Sequence, residues 1–146
     1  EKRDGSKYEP ILLKKRNLHE MTLVTSKNHN NEILKNLIQE INFCKVQIMG
    51  SIGCKIASIV QGESDIYICL SLPGKSSPKD WDFAAPESIL KAAGGAITNL
   101  DNQELSYGKN NFQQEGVIVA TNDKKTHQNI CLEIKKIIKK NGIYPF

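Results

Sequence analysis

The chain has 146 residues, of which 39% are hydrophobic and 25% are charged. This composition suits one domain with a filled core, and it excludes a disordered tail, a collagen-like repeat and a disulfide-rich miniprotein. The formal net charge is +4, too small to indicate a protein that coats nucleic acid. Arg3 and Arg16 are the only arginines, so a bound phosphate would depend on lysine, backbone N–H groups or a metal ion.

Strands and helices are predicted to alternate from residue 21 onward. Short apolar runs between polar turns predict strands, and apolar residues spaced three or four apart predict helices. In chain order these are a strand at 21–25, a helix at 30–42, a strand at 45–49, a helix that ends at Gly62, a strand at 65–72, a loop at 73–79, a helix at 82–93, strands at 96–98 and 116–121, and a helix at 123–140. The order predicts an α/β fold, a layered sandwich with a mostly parallel sheet and helices on both faces. We expect residues 1–146 to form one domain.

The four cysteines include no Cys-x-x-Cys pair. We interpret them as small buried thiols of a protein in a reducing compartment, which predicts a cytoplasmic location. No stretch approaches the ~20 apolar residues of a membrane span, and the charged residues 1–4 do not form a signal peptide. The chain does not begin with Met, which predicts a processed chain or a piece of a longer one.

Residues 50–55 read Gly-Ser-Ile-Gly-Cys-Lys and form a turn of small residues before a helix. Such a turn offers backbone N–H groups and a hydroxyl to an anion. It lacks the Gly-x4-Gly-Lys-Ser/Thr spacing of a Walker A loop. Two structural alternatives stay open here: Ser51 can simply cap the helix, and Lys55 can be a solvated lysine of its first turn.

Two carboxylates, Asp80 and Asp82, stand at the entry of the next helix. The positive end of the helix dipole favours both, so either can serve as an N-cap. We predict that Trp81 staples the chain ahead of the cap and that Pro86 lies at the edge of the first turn. A rigidly aimed carboxylate also suits Mg²⁺, which takes one or two carboxylates together with waters and phosphate.

A covalent nucleophile is not expected in this chain. No Gly-x-Ser-x-Gly elbow is present, and none of His19, His29 and His127 has a partner in the local sequence. The lysines of the last helix are interpreted as a solvated face, because a nucleic-acid surface would interleave aromatic residues with them.

Four motifs stand at fixed distances in the middle of the chain. They are Gly50-Ser51-x-Gly53-x-Lys55, Gly62-x-x-Asp65-x-Tyr67, Trp81-Asp82-x-Ala84-Ala85-Pro86-Glu87 and Ala93-Gly94-Gly95. Together they resemble the C-terminal half of the inositol monophosphatase superfamily, and within it the 3′(2′),5′-bisphosphate nucleotidases. The resemblance extends from about Leu23 to Ile134, and residues 26–29 (Ser-Lys-Asn-His) are similar to the Ser-Arg-Ser-His segment of these nucleotidases.

The resemblance implies roles for the matching residues. Asp82 matches an aspartate that ligates Mg²⁺. Gly50 and Ser51 match the turn that contacts the sugar or phosphate of the substrate, and Lys55 matches a lysine that binds the nucleotide. No catalytic residue is implied within this chain.

Other matches and departures refine this expectation. Trp81, Ala84 and Ala85 match positions that pack behind the metal-bearing helix. Cys69 stands where many bacterial members have an arginine and inositol-specific members have an acidic residue, which argues against an inositol substrate. The family's other metal ligands, a glutamate and an Asp-Pro-(Ile/Leu)-Asp-Gly-(Thr/Ser) block, are absent from residues 1–146.

The resemblance therefore implies the C-terminal domain of a Mg²⁺-dependent phosphomonoesterase. The expected reaction removes the 3′-phosphate of adenosine 3′,5′-bisphosphate, in sulfate assimilation or nucleotide salvage. The chain is expected to need the N-terminal half and to be inactive without it. Its partner would be a phosphorylated nucleotide rather than a nucleic-acid polymer or a membrane, and a homodimer is compatible with the sequence. The alternatives are an inositol or sugar-phosphate phosphatase of the same superfamily and a non-catalytic nucleotide-binding remnant.

Overall fold

The structure is a computed structural model that describes residues 17–27, 31–72, 74–109 and 111–143. The part of the predicted domain at residues 1–16 and the nucleotidase-like residues Asn28 and His29 lie outside the described residues. A short 3-10 turn precedes five strands and four helices. In chain order these are β1 (Thr22–Ser26), α1 (Glu32–Ile41), β2 (Lys45–Met49), α2 (Ile52–Val60), β3 (Ile66–Ser71), α3 (Asp80–Ala92), β4 (Ala96–Asn99), β5 (Gly116–Thr121) and α4 (Lys124–Asn141).

The strands form one sheet in the order β2-β1-β3-β5-β4. Strand β1 is parallel to β2 and β3, whereas β5 is antiparallel to β3 and β4. All strands except β5 therefore run in the same direction, which confirms the predicted α/β fold with a mostly parallel sheet. Strand β5 reverses because the described part of its connection from β4 contains no crossover helix, which a parallel neighbour requires.

Helices cover both faces of the sheet, as predicted. Neighbouring residues of a strand point to opposite faces, so buried Leu23 and Val24 of β1 belong to different core clusters. Leu23 packs with residues of α1 and α4, and Val24 packs with residues of α2 and α3. None of the helices in the described ranges combines the length and the apolar character that crossing a membrane requires.

Helix α3 begins earlier than the predicted residue 82. The carboxylate of Asp82 accepts a hydrogen bond from the backbone N–H of Lys79 (2.8 Å), which is the reach from the third helical residue to the N-cap. Trp81 is therefore inside the helix and 66% exposed, so the predicted staple ahead of the cap is wrong. Pro86 also lies inside the helix rather than at the edge of its first turn, and it leaves the carbonyl of Asp82 without its helical donor.

The packing roles expected of Ala84 and Ala85 are also wrong for the described chain, because both side chains are exposed together with Trp81. Phe83 and Leu90, which are 0% and 1% exposed, hold α3 against the sheet instead. The helical repeat explains the error, since the alanines lie on the face turned away from the core.

Two buried carboxylates tie the segment after β4 to α3. Asp80 accepts hydrogen bonds from the backbone N–H of Gly108 (2.7 Å) and from the side chain of Gln114 (2.6 Å). Glu87 accepts a hydrogen bond from the hydroxyl of Tyr107. Both oxygens of Asp80 are thus used within the fold, and the start of α3 is fixed in place.

The interpretation of the cysteines as buried thiols is correct for two of them. Cys69 and Cys131 are buried, whereas Cys44 and Cys54 are exposed, and all of these thiols are free. The exposed pair lies in the turn before β2 and in the first turn of α2, where apolar sequence neighbours do not cover the side chain.

Gly95, between α3 and β4, has no room for a side chain. A Cβ atom there would lie 2.5 Å from the backbone oxygen of Thr121 and 2.5 Å from Leu90 Cδ1. We expect Gly95→Ala to lower the free energy of unfolding by about 2 kcal/mol, because the oxygen cannot move without displacing β5. Urea denaturation measures this loss. Gly53→Ala is the matched control, since only Ser51 Oγ lies near its Cβ (3.8 Å) and alanine favours a helix; equal losses in both variants would contradict the prediction.

Candidate functional site

A cavity of about 630 Å³ opens at the carboxyl ends of β1, β2 and β3. Open α/β sheets bind ligands at this edge. The first residues of α1, α2 and α3 border the same space. Since the amino end of a helix carries partial positive charge and free N–H groups, three such ends favour an anionic ligand.

The structure brings all of the predicted site residues together. Gly50, Ser51, Lys55 and Asp82 each line this cavity. They come from the turn after β2, the first turn of α2 and the first turn of α3. The roles implied for them stay predictions, but their shared position is the arrangement that those roles require.

Ser51 caps α2 and lines the cavity at the same time. Its Oγ accepts a hydrogen bond from the backbone N–H of Cys54 (3.1 Å), so the capping alternative is confirmed. A hydroxyl that accepts one hydrogen bond can still donate its own proton. Capping and substrate binding are therefore compatible at Ser51.

Lys55 is 2% exposed, so the alternative of a solvated lysine is wrong. Its Nζ donates to the backbone oxygen of Gly50 (2.7 Å) and lies 5.2 Å from the centroid of the Tyr67 ring. Burial lowers the pKa of Lys55, and the nearby Cys69 and Cys54 thiols oppose that shift. Because an ammonium has three donors, Lys55 can hold the Gly50 turn and still bind an anion in the cavity.

Asp82 uses one carboxylate oxygen for a hydrogen bond within the fold, and the residue lines the cavity. Oδ2 accepts the Lys79 N–H, while Oδ1 has no hydrogen-bond partner within the described ranges. Asp82 is exposed and is the only acidic residue among those described that line the cavity. The N-cap of α3 is Lys79, so the alternative that Asp80 or Asp82 is the N-cap is wrong. Asp82 instead binds the N-cap backbone from the third helical position, and it is still a candidate ligand.

The residues present fit a Mg²⁺ site only in part. Across the described stretches of chain, no three histidine, cysteine or acidic side chains converge. Mg²⁺ needs one or two carboxylates and takes its other ligands from water and phosphate. Asp82 fits as one ligand, and the chain's described residues add no second carboxylate to the cavity.

Cys69 is buried in the wall of the same cavity, beside Tyr67 and Lys55. Burial raises the pKa of the Cys69 thiol, so the group is neutral at pH 7. The position where the resemblance expects an arginine or an acidic residue therefore carries no charge in this chain.

Sequence reasoning missed a second wall of the cavity. Ser71, Lys75 and Ser77 line it from the end of β3 and the loop that follows, a segment predicted as strand and loop and rejected as a phosphate loop because it lacks the Walker A spacing. Ser26 of β1 lines it as well. The signal that could have found them is the concentration of serines directly after a strand that ends at the ligand-binding edge.

His127 has partners that the local sequence does not reveal. Its Nδ1 lies 2.8 Å from Thr121 Oγ1 and its Nε2 lies 2.7 Å from Thr98 Oγ1, with Cys131 Sγ 3.4 Å from Nε2. Burial lowers the pKa of His127 to about 4 and raises the pKa of the Cys131 thiol. Both groups are neutral at pH 7, so this pair is part of the core and not an activated nucleophile.

Comparison with known proteins identifies the family of this chain. The model of the inositol monophosphatase family matches residues 2–139. The chain is 33% identical over 100 residues to the mouse 3′(2′),5′-bisphosphate nucleotidase 1, which covers 67% of this chain and 31% of that protein. It is 38% identical over 85 residues to the Buchnera aphidicola 3′(2′),5′-bisphosphate nucleotidase CysQ, covering 58% of this chain and 30% of that protein.

A solved structure supports the fold. The Thermotoga maritima IMPase matches with a TM-score of 0.61 at 20% identity, over 85% of this chain and 44% of that one. The chain spans about a third of the length of the curated relatives it matches and less than half of the solved structure. The family model nevertheless covers nearly all of it, and the chain belongs to the inositol monophosphatase family.

Proposed function

We propose that this chain is the C-terminal part of a Mg²⁺-dependent phosphatase that removes the 3′-phosphate of adenosine 3′,5′-bisphosphate, in sulfate assimilation or nucleotide salvage. The observation that carries the proposal is the convergence of Gly50, Ser51, Lys55 and Asp82 on one cavity. The names of the mouse and Buchnera relatives support the substrate class. The neutral Cys69 supports a nucleotide over an inositol phosphate.

Each residue contributes a distinct interaction in this proposal. Lys55 and Ser51 donate hydrogen bonds to the nucleotide, and the backbone of Gly50 keeps their spacing through its bond with Lys55. Asp82 supplies one carboxylate ligand to Mg²⁺. When bound, Mg²⁺ supplies Lewis-acid stabilisation of phosphate oxygens and lowers the pKa of a bound water.

The remaining carboxylate ligands are proposed to come from an N-terminal half. Helices α2 and α3 lie side by side, and their outward surface supports this assignment. Val60, Trp81 and Ile89 are 38%, 66% and 56% exposed, and Ala57 and Ala85 of the same two helices are also exposed. An apolar surface of this kind marks contact with another protein surface, and it adjoins the helix that carries Asp82.

Two further features of the full-length protein belong to the same proposal. A cytoplasmic location is supported by the four free thiols, since oxidising compartments favour disulfides. A homodimer is supported by the edge strand β2, where Val46 and Ile48 are 43% and 62% exposed. Unpaired edge strands with apolar side chains are surfaces that a second chain can cover.

Phosphate release tests the proposed reaction. We expect the 146-residue chain alone to show no turnover of adenosine 3′,5′-bisphosphate with Mg²⁺, because the glutamate and the acidic block that hold the metal ions in the family are absent from residues 1–146. The full-length protein is expected to hydrolyse this nucleotide faster than inositol 1-phosphate or fructose 1,6-bisphosphate. Turnover by the chain alone would contradict the incomplete metal site, and a preference for the inositol or sugar phosphate would contradict the substrate.

A second candidate is a non-catalytic nucleotide-binding domain. The single acidic side chain that the described residues place in the cavity wall favours it. Calorimetry of the full-length protein with adenosine 3′,5′-bisphosphate separates the two functions. Binding that depends on Mg²⁺ indicates the enzyme, and binding that is unchanged by removal of Mg²⁺ indicates the module.

A further inference from the structure

Ser77 has a buried hydroxyl that nothing in the described chain satisfies. The residue is 7% exposed, and its Oγ has no hydrogen-bond partner among the described residues. Ser77 also lines the cavity that contains Lys55 and Asp82. A buried hydroxyl without a partner costs free energy, and a serine side chain has three staggered χ1 rotamers that aim its hydroxyl in different directions. A ligand in the cavity could therefore supply the hydrogen-bond acceptor that the Ser77 hydroxyl lacks.

The loop that carries Ser77 is held at both ends. The backbone N–H of Lys75 donates to the oxygen of Leu72 (3.1 Å), which closes a turn after β3. The oxygen of Pro78 accepts a hydrogen bond from the backbone N–H of Gln114 (2.8 Å). These bonds connect the backbone on both sides of Ser77 to the rest of the fold.

The chemistry of this wall suits an anion. Lys75 and Ser71 line it together with Ser77, which gives two hydroxyls and an ammonium. Lys75 is exposed, and the described part of the chain gives it no ion pair. Tyr67 is the only aromatic residue among the described lining residues, and it lies under Lys55. Hydroxyl and ammonium donors without a stacking ring favour a phosphate over a nucleobase.

We propose that Ser77 and Lys75 bind the second, non-reacting phosphate of a bisphosphate substrate and so determine the preference for a bisphosphate over a monophosphate. The inference rests on the proposed function, in which Asp82 holds Mg²⁺ at the reacting phosphate and Lys55 binds the nucleotide. A cavity of about 630 Å³ is within the usual range for a ligand of this size. The assignment gives the hydroxyl of Ser77 the acceptor that the fold does not provide.

Steady-state phosphate release by the full-length protein with Mg²⁺ tests the assignment by comparing the KM values of two substrates. Adenosine 3′,5′-bisphosphate carries the second phosphate, and adenosine 3′-monophosphate lacks it. We expect Ser77→Ala and Lys75→Gln each to raise the KM for the bisphosphate about tenfold and to leave the KM for the monophosphate unchanged. Ser88→Ala and Lys45→Gln are the matched controls, because both side chains are exposed outside the cavity wall.

Thermal unfolding without ligand separates binding from a structural role. Ser77→Ala removes a hydroxyl that makes no hydrogen bond within the described chain, so its Tm is expected to equal or exceed that of the unchanged protein. An equal rise in the KM for both substrates, or for neither, would overturn the second-phosphate assignment while the proposed function stands. An unchanged protein that hydrolyses neither nucleotide would overturn both.

Discussion

Asp82→Asn in the full-length protein is expected to lower kcat for adenosine 3′,5′-bisphosphate by more than about a hundredfold, because a neutral amide is a poor Mg²⁺ ligand. The same substitution is expected to leave Tm within about 3 °C. Asp82 stabilises α3 by accepting the Lys79 N–H, and the amide oxygen of asparagine can accept that hydrogen bond as well. Activity and stability should therefore separate at this position.

Steady-state phosphate release and thermal unfolding measure the two quantities. Asp123→Asn is the matched control. Asp123 is the N-cap of α4, and its carboxylate accepts a hydrogen bond from the backbone N–H of Lys125 (3.0 Å). That control is expected to keep both kcat and Tm. Unchanged kinetics in Asp82→Asn would leave Asp82 with the capping role alone and would remove the metal ligand from the proposed function.

The fold was largely predictable because its signals are local. Strands β2 and β5 have the predicted limits, since each is an apolar or alternating run between turns. The start of α3 was not predictable in this way. It depends on the side chain of Asp82 reaching back to Lys79, and the same residues are equally consistent with a helix that begins at Asp82. Pro86 strengthened the wrong limit, because proline is usually confined to the first turn.

The residues of the candidate site were predictable where they belong to motifs of residues close in the sequence. Ser51 and Lys55 stand in one motif, and Asp82 stands in another that the family resemblance identifies. Their meeting in one cavity follows from parallel strands that end at the same edge. The burial of Lys55 and the unsatisfied hydroxyl of Ser77 were not predictable, because both depend on contacts with distant parts of the chain, such as the bond between Pro78 and Gln114.

Acid is expected to destabilise the chain through His127. The ring is 1% exposed, and burial lowers its pKa to about 4 from the ordinary 6.5. Between these two values the unfolded chain binds more protons at this position than the folded chain, so the free energy of unfolding falls as the pH falls. The full shift corresponds to roughly 3 kcal/mol, lost progressively below about pH 6.5.

Urea denaturation at pH 7 and pH 5 measures this dependence. From pH 7 to pH 5 the unchanged chain is expected to lose about 2 kcal/mol more than His127→Gln, whose side chain hydrogen-bonds but does not titrate. His19→Gln is the matched control, because the His19 side chain is exposed and lies outside the buried cluster around His127. Both nitrogens of His127 face threonine hydroxyls, and Cys131 adds only a neutral thiol, so the described cluster contains no carboxylate that would stabilise the protonated ring. If the free energy of unfolding changes equally with pH in His127→Gln and in the unchanged chain, the core tolerates the charged imidazole. That result would contradict the pH dependence that we assign to the burial of His127.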